Sequence, residues 1–244
     1  MDVIKDDIAH KDFEEAYISL RDKEQRIYSD EEVFDLPQVA NDHIHKKEWE
    51  IRKVSAHRLI KYLQKKKRPL KILEVGCGNG WLSHHLAAID GAVVEAVDVN
   101  RIESDQAVRV FAAIKNLSFL NGDFGSGLLN DQKFDVIVFA ASVQYFKSFR
   151  GVIKTALQIL SKEGEIHILD TRFYPLSEVE NAKRRSGEYF QNMGFETMNK
   201  FYFHHSFEEL KSFNYQILYD ADSPLNKLFN KNNPFNWICI KASR

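Results

Sequence analysis

The feature that most constrains this sequence is an apolar segment, residues 71–75, that runs into glycines at the alternate positions Gly76, Gly78 and Gly80. Glycine lacks a Cβ, so it adopts positive φ without strain and lets backbone N–H groups approach a ligand closely. A pattern typical of a helix follows at residues 81–88. The segment therefore predicts a strand, a tight turn and a helix, with the turn forming a cradle for a cofactor.

The spacing of the glycines separates two classes of cofactor. The dinucleotide-binding fingerprint needs a small residue three positions after the second glycine, where the helix packs closely on the strand. This chain has Trp81 there, and an indole fits that position poorly. A nucleotide-dependent oxidoreductase is therefore an alternative with one feature against it. A cofactor-binding protein without turnover is a third hypothesis.

The pattern that begins at Glu74 and continues as x-Gly-x-Gly-x-Gly resembles the first motif of class I S-adenosylmethionine-dependent methyltransferases. In that family the loop holds the methionine part of S-adenosylmethionine. The resemblance covers residues 70–244 in outline, with specific motifs only within residues 74–145. It implies that this loop binds the cofactor through Glu74, Gly76, Cys77 and Gly78.

Two carboxylates further along fit the same family. Asp98 ends the strand predicted at residues 93–98, and a carboxylate at the carboxyl end of a strand can accept both ribose hydroxyls. Asp123 and Phe124 follow the next strand, where the resemblance implies an acidic group for the adenine amino group and an apolar cover for the ring. One such residue alone is often an N-cap or a loop residue, but together they occur in the expected order. Two further cofactor contacts are assigned to Val99 and Ala140.

The order of the elements predicts an α/β fold, a doubly wound and mostly parallel seven-stranded sheet with helices on both faces. Later strands are expected at residues 134–140 and 165–170, with a turn at 161–164 that ends the intervening helix. The last two strands, at residues 215–219 and 235–240, should pair as a C-terminal antiparallel hairpin. Right-handed crossovers place the carboxyl ends of the parallel strands on one edge, so the glycine turn and the two carboxylates should meet there.

Two regions flank or interrupt this predicted core. Residues 1–68 are charged and prone to form helices, and we interpret them as an extension that packs on a methyltransferase domain at residues 69–244. Apolar positions recur at helical spacing between residues 46 and 64, and Arg52 on that helix either binds the carboxylate of the cofactor or is simply solvated. A long insertion at about residues 171–205 is interpreted as a substrate lid.

The sulfonium of S-adenosylmethionine already activates its methyl group, so the protein must mainly align a nucleophile and exclude water. An oxygen or nitrogen nucleophile must lose a proton, which makes His204 a candidate general base, with Tyr145 as a second catalytic candidate. Adjacent histidines on an extended segment point to opposite sides, so at most one of His204 and His205 should face the pocket. No Asn/Asp-Pro-Pro-aromatic sequence follows the fourth strand, which disfavours amides and exocyclic base amines as acceptors. The residues expected near the acceptor are Arg172, Tyr174 and His205.

Composition limits the partners and the compartment. A formal net charge of −1 and a pI near 6.8 provide no positive field for an extended nucleic acid, so a small-molecule acceptor is expected. Two cysteines form no disulfide framework and no segment is apolar enough to span a bilayer, so a cytoplasmic protein without a membrane partner is expected. The histidines at 43, 45, 84 and 85 lack the spacing of metal ligands, so no metal is expected. The sequence leaves the acceptor and the oligomeric state open.

Overall fold

The computed structural model describes residues 2–224, 226 and 233–242. The described helices are α1 (Asp2–Lys23), α2 (Asp30–Asp35), α3 (Lys46–Gln64), α4 (Trp81–Ala87), α5 (Arg101–Val110), α6 (Phe149–Gln158), α7 (Val179–Met193) and α8 (Phe207–Leu210). The described strands are β1 (Leu70–Val75), β2 (Ala92–Asp98), β3 (Leu117–Asn121), β4 (Phe134–Ala140), β5 (Leu160–Leu169), β6 (Phe173–Tyr174), β7 (His205–Ser206), β8 (Asn214–Tyr219) and β9 (Trp237–Lys241). None of the helices in this part of the chain combines the length and the apolarity that crossing a membrane would require.

Seven strands form one sheet in the order β3-β2-β1-β4-β5-β9-β8. Strands β3, β2, β1, β4 and β5 pair in parallel, and β9 is antiparallel to both β5 and β8. The predicted doubly wound, mostly parallel sheet with a C-terminal antiparallel hairpin is confirmed, although β9 occupies Trp237–Lys241 rather than residues 235–240. The chain order reverses between β1 and β4, and ligands of such sheets bind beyond the carboxyl ends of the strands at that reversal.

The beginning of β5 differs from the prediction. Residues 161–164, expected as a turn that ends a helix, lie within β5, and α6 already ends at Gln158. Strand β5 begins before the predicted residue 165 because Leu160 already pairs with Phe134 of β4. The register of this pairing shifts between Phe134 and Val136. Gly164 is required in this irregular stretch, since a Cβ there would lie 2.6 Å from Leu160 Cγ.

Apolar clusters cover both faces of the sheet. Ile72 of β1 is buried in one cluster with Leu59 of α3 and Leu86 of α4. Its neighbour Leu73 points to the opposite face and is buried in a second cluster with Ile153 of α6. Each such fully buried side chain stabilises the fold by about 2 kcal/mol. The strand ends that carry the polar groups are therefore held by a rigid three-layer core.

Helix α1 lies over the carboxyl edge of the sheet. The rings of Phe13 and Tyr17 both lie with their centroids 5.6 Å from that of Tyr145, which follows β4. On the other side, Leu20 packs in an apolar cluster with Phe190 of α7. The N-terminal helix and the segment after β5 thus meet above the sheet edge.

The tight packing of the glycine turn is testable at Gly80. Gly80 has a φ of +76°, and a Cβ there would lie 2.6 Å from Phe119 Cε1 and 3.0 Å from Ala107 Cβ. Gly194, at the end of α7, has a similar φ of +83° but no atom within 4 Å of such a Cβ. We expect Gly194→Ala to lower the free energy of unfolding by about 1 kcal/mol through backbone strain, and Gly80→Ala to lower it by about 2 kcal/mol more. Urea denaturation measures both variants, and equal losses would contradict the packing described.

Candidate active site

The glycine turn between β1 and α4 packs against the residue pair that follows β4 and against the first turn of α5. Gly76 and Gly78 have φ of +73° and +53°. A Cβ on Gly76 would overlap the side chain of Ser142, which follows β4. A Cβ on Gly78 would lie 3.1 Å from the carboxylate of Glu103 in α5. Both positions therefore require glycine, for their backbone conformation and for the space around them.

Asp98, the last residue of β2, fastens this turn to its own strand. Its Oδ2 accepts the N–H of Gly78 at 2.7 Å, and its Oδ1 accepts the N–H of Asn100 at 2.8 Å. Asn100 in turn caps α5 by accepting the N–H of Glu103 at 3.1 Å. Each carboxylate oxygen has two lone pairs, so Asp98 can accept further hydrogen bonds from a ligand hydroxyl.

These groups surround a space of about 410 Å³, which we term the large cavity. Its wall includes Asp123, which accepts the N–H of Gly125 at 2.7 Å, and the buried ring of Phe124, which meets Phe139 edge-on. A narrow cleft of about 70 Å³ continues beside the glycine turn. The residues that the sequence assigns to the cofactor all line one or both spaces, namely Glu74, Gly76, Cys77, Gly78, Asp98, Val99, Asp123, Phe124 and Ala140.

Buried carboxyl groups give these walls their electrostatic character. Burial raises the pKa of Glu74 to about 8, against the opposing effect of the hydrogen bond that Glu74 accepts from Ser83 Oγ. Burial also raises the pKa of Glu103 to about 7 and moves the pKa of Asp98 above its usual value. A nearby positive charge favours the ionised forms of such acids, whereas a negative charge is repelled by them. A cationic ligand in these spaces would therefore favour ionisation of Glu74, Asp98 and Glu103.

Helices α1 and α3 bring arginines to the narrow cleft. Arg26 Nη2 donates to Glu48 Oε2 at 2.5 Å, and Arg52 Nη2 lies 2.9 Å from Glu48 Oε1. Burial opposes the ionisation of Glu48, but Arg52 and Arg26 prevail and lower its pKa to about 2. Arg21 donates to the hydroxyl of Tyr17 at 2.8 Å. Of the three arginines the sequence suggests Arg52 alone, because no pattern shows which charges of the N-terminal helices face inwards.

A further space of about 330 Å³, termed the outer cavity, shares Ala141 and Tyr145 with the large cavity. Arg172 and Tyr174, which the sequence places near the acceptor, line it. Burial raises the pKa of Tyr145, so its hydroxyl stays protonated at neutral pH. The outer cavity thus adjoins the large cavity at the exit of β4.

His204 lines the outer cavity as well. Its Nε2 lies 2.8 Å from Ser186 Oγ, and its buried Nδ1 has no hydrogen-bond partner within the described ranges. Burial, reinforced by His205, lowers the pKa of His204 to about 4. The ring is therefore neutral at pH 7 and has one nitrogen able to accept a proton.

His205, predicted near the acceptor, has a different environment. Its ring is buried in the core against Phe149 and Phe173, and its Nε2 lies 3.1 Å from the carbonyl oxygen of Val143. Over the part of the chain that the structure covers, it lines none of the three spaces described above. Of the two histidines, His204 lines the outer cavity, whereas His205 lies in the core and not in the position near the acceptor that the sequence analysis gave it.

Sequence patterns do not single out Asp170, although it lines the outer cavity. It follows β5 much as Asp98 ends β2, so the rule that identifies Asp98 could have found it. Glu103 gives no comparable signal, because an acidic residue in the first turn of a helix is common for reasons of helix stability. Only the packing of α5 on the glycine turn shows that it is buried.

Elsewhere in the described structure, three buried side chains of the kinds that bind metal ions lie close together, namely Glu165, His167 and Cys239. Trp237 Nε1 donates to His167 Nδ1 at 3.1 Å, so the proton of the neutral imidazole lies on Nε2, the nitrogen that faces Glu165. Lys66 Nζ lies 2.8 Å from Glu165 Oε2. An ion pair and a protonated nitrogen thus occupy the positions that a metal would need.

A comparison with known protein families identifies the family of this chain. Residues 48–218 match the family of methyltransferase domains. The chain belongs to this family. The strand order of its sheet is the one expected for the class I methyltransferase fold. The resemblance that begins at Glu74 is therefore confirmed.

Curated relatives of this methyltransferase match parts of it. A malonyl-[acyl-carrier protein] O-methyltransferase of Halalkalibacterium halodurans is 31% identical over 104 residues, which are 39% of this chain and 38% of the relative. A sterol 24-C-methyltransferase of Gibberella zeae is 22% identical over 157 residues, which are 63% of this chain and 41% of the relative. The chain thus spans less than half the length of these relatives.

Solved structures share the fold. A plantazolicin methyltransferase in complex with SAH is 17% identical with a TM-score of 0.57, covering 97% of this chain and 99% of that one. A methyltransferase solved with a Haloferax volcanii methyltransferase activator is 16% identical with a TM-score of 0.57, covering 82% of this chain and 92% of that one. At these identities the likeness concerns the architecture of the sheet and its helices.

The role of Asp98 is testable by binding. Asp98→Ala removes the carboxylate that the sequence analysis assigns to the ribose hydroxyls, so we expect the affinity for S-adenosylhomocysteine to fall at least tenfold, about 1.4 kcal/mol. Isothermal titration calorimetry measures the change. Asp90→Ala is the matched control, since Asp90 is exposed in the connection between α4 and β2. Unchanged affinity in a folded Asp98→Ala variant would remove Asp98 from the site.

The raised pKa of Glu74 predicts a pH dependence of ligand preference. A sulfonium favours the ionised carboxylate, so cofactor binding below about pH 8 should release a proton, and affinity should rise with pH. S-adenosylhomocysteine lacks that charge. We therefore expect the preference for S-adenosylmethionine over S-adenosylhomocysteine to increase severalfold from about pH 6 to about pH 9. Glu74→Gln should reduce this slope in the same titrations, and an identical slope in the variant would contradict the assignment.

Proposed function

We propose that this protein transfers the methyl group of S-adenosylmethionine to an oxygen or nitrogen atom of a small-molecule acceptor. The observation that carries the proposal is the meeting of the glycine turn, Asp98 and Asp123 around one cavity that shares the wall residues Ala141 and Tyr145 with a second. The first space suits the cofactor and the second suits its acceptor. The shared wall is where methyl transfer would occur.

The residues of the large cavity and the narrow cleft divide into three roles in this proposal. Asp98 accepts the ribose hydroxyls, while Asp123 and Phe124 hold the adenine. The glycine turn and Ala140 form the walls around the methionine part of the cofactor. The guanidinium of Arg52 binds the carboxylate of that methionine part. The cofactor supplies an activated methyl group, and the buried acids Glu74 and Glu103 offset its positive charge.

The outer cavity supports the assignment of acceptor residues. Arg172 is exposed and its guanidinium lies 5.8 Å from the centre of the Tyr174 ring, an arrangement that leaves its donors available to an anionic part of the acceptor. His204 is neutral at pH 7, although its pKa of about 4 makes it a weak base, and Tyr145 stands at the boundary between the two cavities. The segment of residues 171–205 provides much of this wall, which supports its interpretation as a substrate lid.

The relatives do not agree on an acceptor atom. Their names specify an oxygen acceptor in one case and a carbon acceptor in another. Our preference for a small molecule therefore rests on the size of the outer cavity and on a net charge of −1, which provides no attraction for a long nucleic acid. Cys77 and Cys239 are unpaired, in keeping with a reducing, cytoplasmic compartment.

Transfer of a labelled methyl group tests the proposal. We expect the protein to move label from methyl-labelled S-adenosylmethionine into a small-molecule extract of bacterial cells, with chromatography separating the product from the cofactor. At subsaturating cofactor, Asp98→Ala should slow this at least tenfold because less cofactor is bound. A protein that binds S-adenosylhomocysteine but labels no component would instead be a binding protein without turnover.

A further inference from the structure

The residues that directly follow β4 and β5 lie side by side, and both have a positive φ. The N–H of Ala141 donates to the carbonyl oxygen of Leu169 at 2.9 Å, which brings Asp170 next to the boundary between the two cavities. Ala141 and Asp170 have φ of +52° and +54°. Residues other than glycine adopt such values at an energetic cost, and they cluster at functional sites. Both residues line the outer cavity.

Asp170 is a buried carboxylate held by one oxygen. Its side chain accepts a hydrogen bond from Ser55 Oγ at 2.6 Å, and the residue is 9% exposed. Asn233 Nδ2 donates to the same Ser55 Oγ at 2.7 Å, which directs the hydroxyl hydrogen towards Asp170. Across residues 2–224, 226 and 233–242, no other group donates a hydrogen bond to the Asp170 carboxylate. One oxygen is thus fixed in place, and the second accepts no hydrogen bond from the described residues.

The charges around Asp170 leave its negative charge unmatched by direct contact. Arg26 and Arg52 both bond to Glu48, and Arg172 lies over the ring of Tyr174. Arg52, and more weakly Arg58, favour the ionised form of Asp170, but none of the described basic side chains forms an ion pair with it. Aromatic rings also line the cavity, and the faces of such rings attract cations. These rings belong to Tyr145, Tyr174, Tyr202 and Phe203.

We propose that Asp170 binds an amine as the methyl acceptor and stabilises the positive charge that forms on its nitrogen. This inference rests on the function proposed above and specifies its acceptor. An aliphatic amine binds beside a carboxylate as the ammonium ion, so one proton first leaves the nitrogen for the Asp170 carboxylate or for water. The freed lone pair forms the new N–C bond, while the S–C bond breaks and its electron pair remains on sulfur as a thioether. The positive charge passes from sulfur to nitrogen. The nitrogen then loses one proton to the Asp170 carboxylate or to water, which restores a neutral amine.

The environment of Asp170 suits this acceptor better than an alcohol or a carboxylate. An ammonium ion gives up its proton more readily than an alcohol does, and a fixed negative charge beside the nitrogen is most effective where positive charge develops. An alcohol needs a stronger base, since burial raises the pKa of Asp170 only to about 6. An acceptor carboxylate would be repelled by Asp170. The assignment concerns aliphatic amines, because the sequence lacks the motif associated with planar ones.

The test uses the labelled transfer assay on the same bacterial extract before and after acylation with N-hydroxysuccinimidyl acetate, which blocks amines. We expect acylation to abolish labelling, and the product from the untreated extract to be retained by a cation exchanger at acidic pH. Persistent labelling of the acylated extract would overturn the proposal. Absence of labelling in the untreated extract would instead reject the proposed function itself, on which this inference depends.

Asp170→Asn provides the matching variant, because asparagine tolerates positive φ and retains an oxygen to accept from Ser55. We expect at least tenfold slower labelling with unchanged affinity for S-adenosylhomocysteine, a split that a merely misfolded protein would not show. Glu163→Gln, an exposed carboxylate on the same strand β5, is the control and should behave as the unmodified protein. Labelling by Asp170→Asn at an undiminished rate would contradict the role of Asp170.

Discussion

The hydrogen bond from the Gly78 N–H to Asp98 is the interaction on which the site depends. It joins the turn after β1 to the end of β2 at 2.7 Å, while the second oxygen of Asp98 holds the chain that leads into α5. A single carboxylate therefore fixes the wall of the large cavity on two sides. Because it is anchored by backbone donors, Asp98 presents its remaining lone pairs in a constant direction. The glycines make this possible by letting the turn approach so closely.

Electrostatics then determine which cofactor fits this geometry. Glu74, Asp98 and Glu103 are buried acids with raised pKa values, so a positive charge that enters the site favours their ionised forms. The sulfonium of S-adenosylmethionine carries such a charge. The same argument explains the position of Trp81, which packs edge-on against Trp49 of α3 where a dinucleotide-binding fold needs a small residue. The family assignment and the charge of the pocket thus point to the same cofactor.

The sequence predicts the parts of this molecule that local chemistry determines. Apolar periodicity predicts the strands, and glycine or acidic residues mark where they end. These two signals suffice for the glycine turn, the ends of β2 and β3, and the hairpin of β8 and β9. The beginning of β5 was misplaced because Gly164 permits a bulge where it suggested a turn. Arg21 and Glu103 could not be assigned, since their burial arises from α1 and α5 packing over the sheet edge. His205 shows the same limit, because alternation separates it from His204 without showing which of them faces the cavity.

Helix α1 and the segment after β5 close the two cavities from above, and the strained exits of β4 and β5 close them from below. The central claim is that one S-adenosyl group occupies the large cavity, with its sulfur facing the outer cavity. A crystal structure of the complex with S-adenosylhomocysteine tests this most directly. We predict ribose oxygens within about 3 Å of the Asp98 carboxylate, the adenine beside Asp123 and Phe124, and the sulfur near Ala141 and Tyr145. Adenosine bound away from Asp98, or a sulfur directed away from the outer cavity, would contradict it.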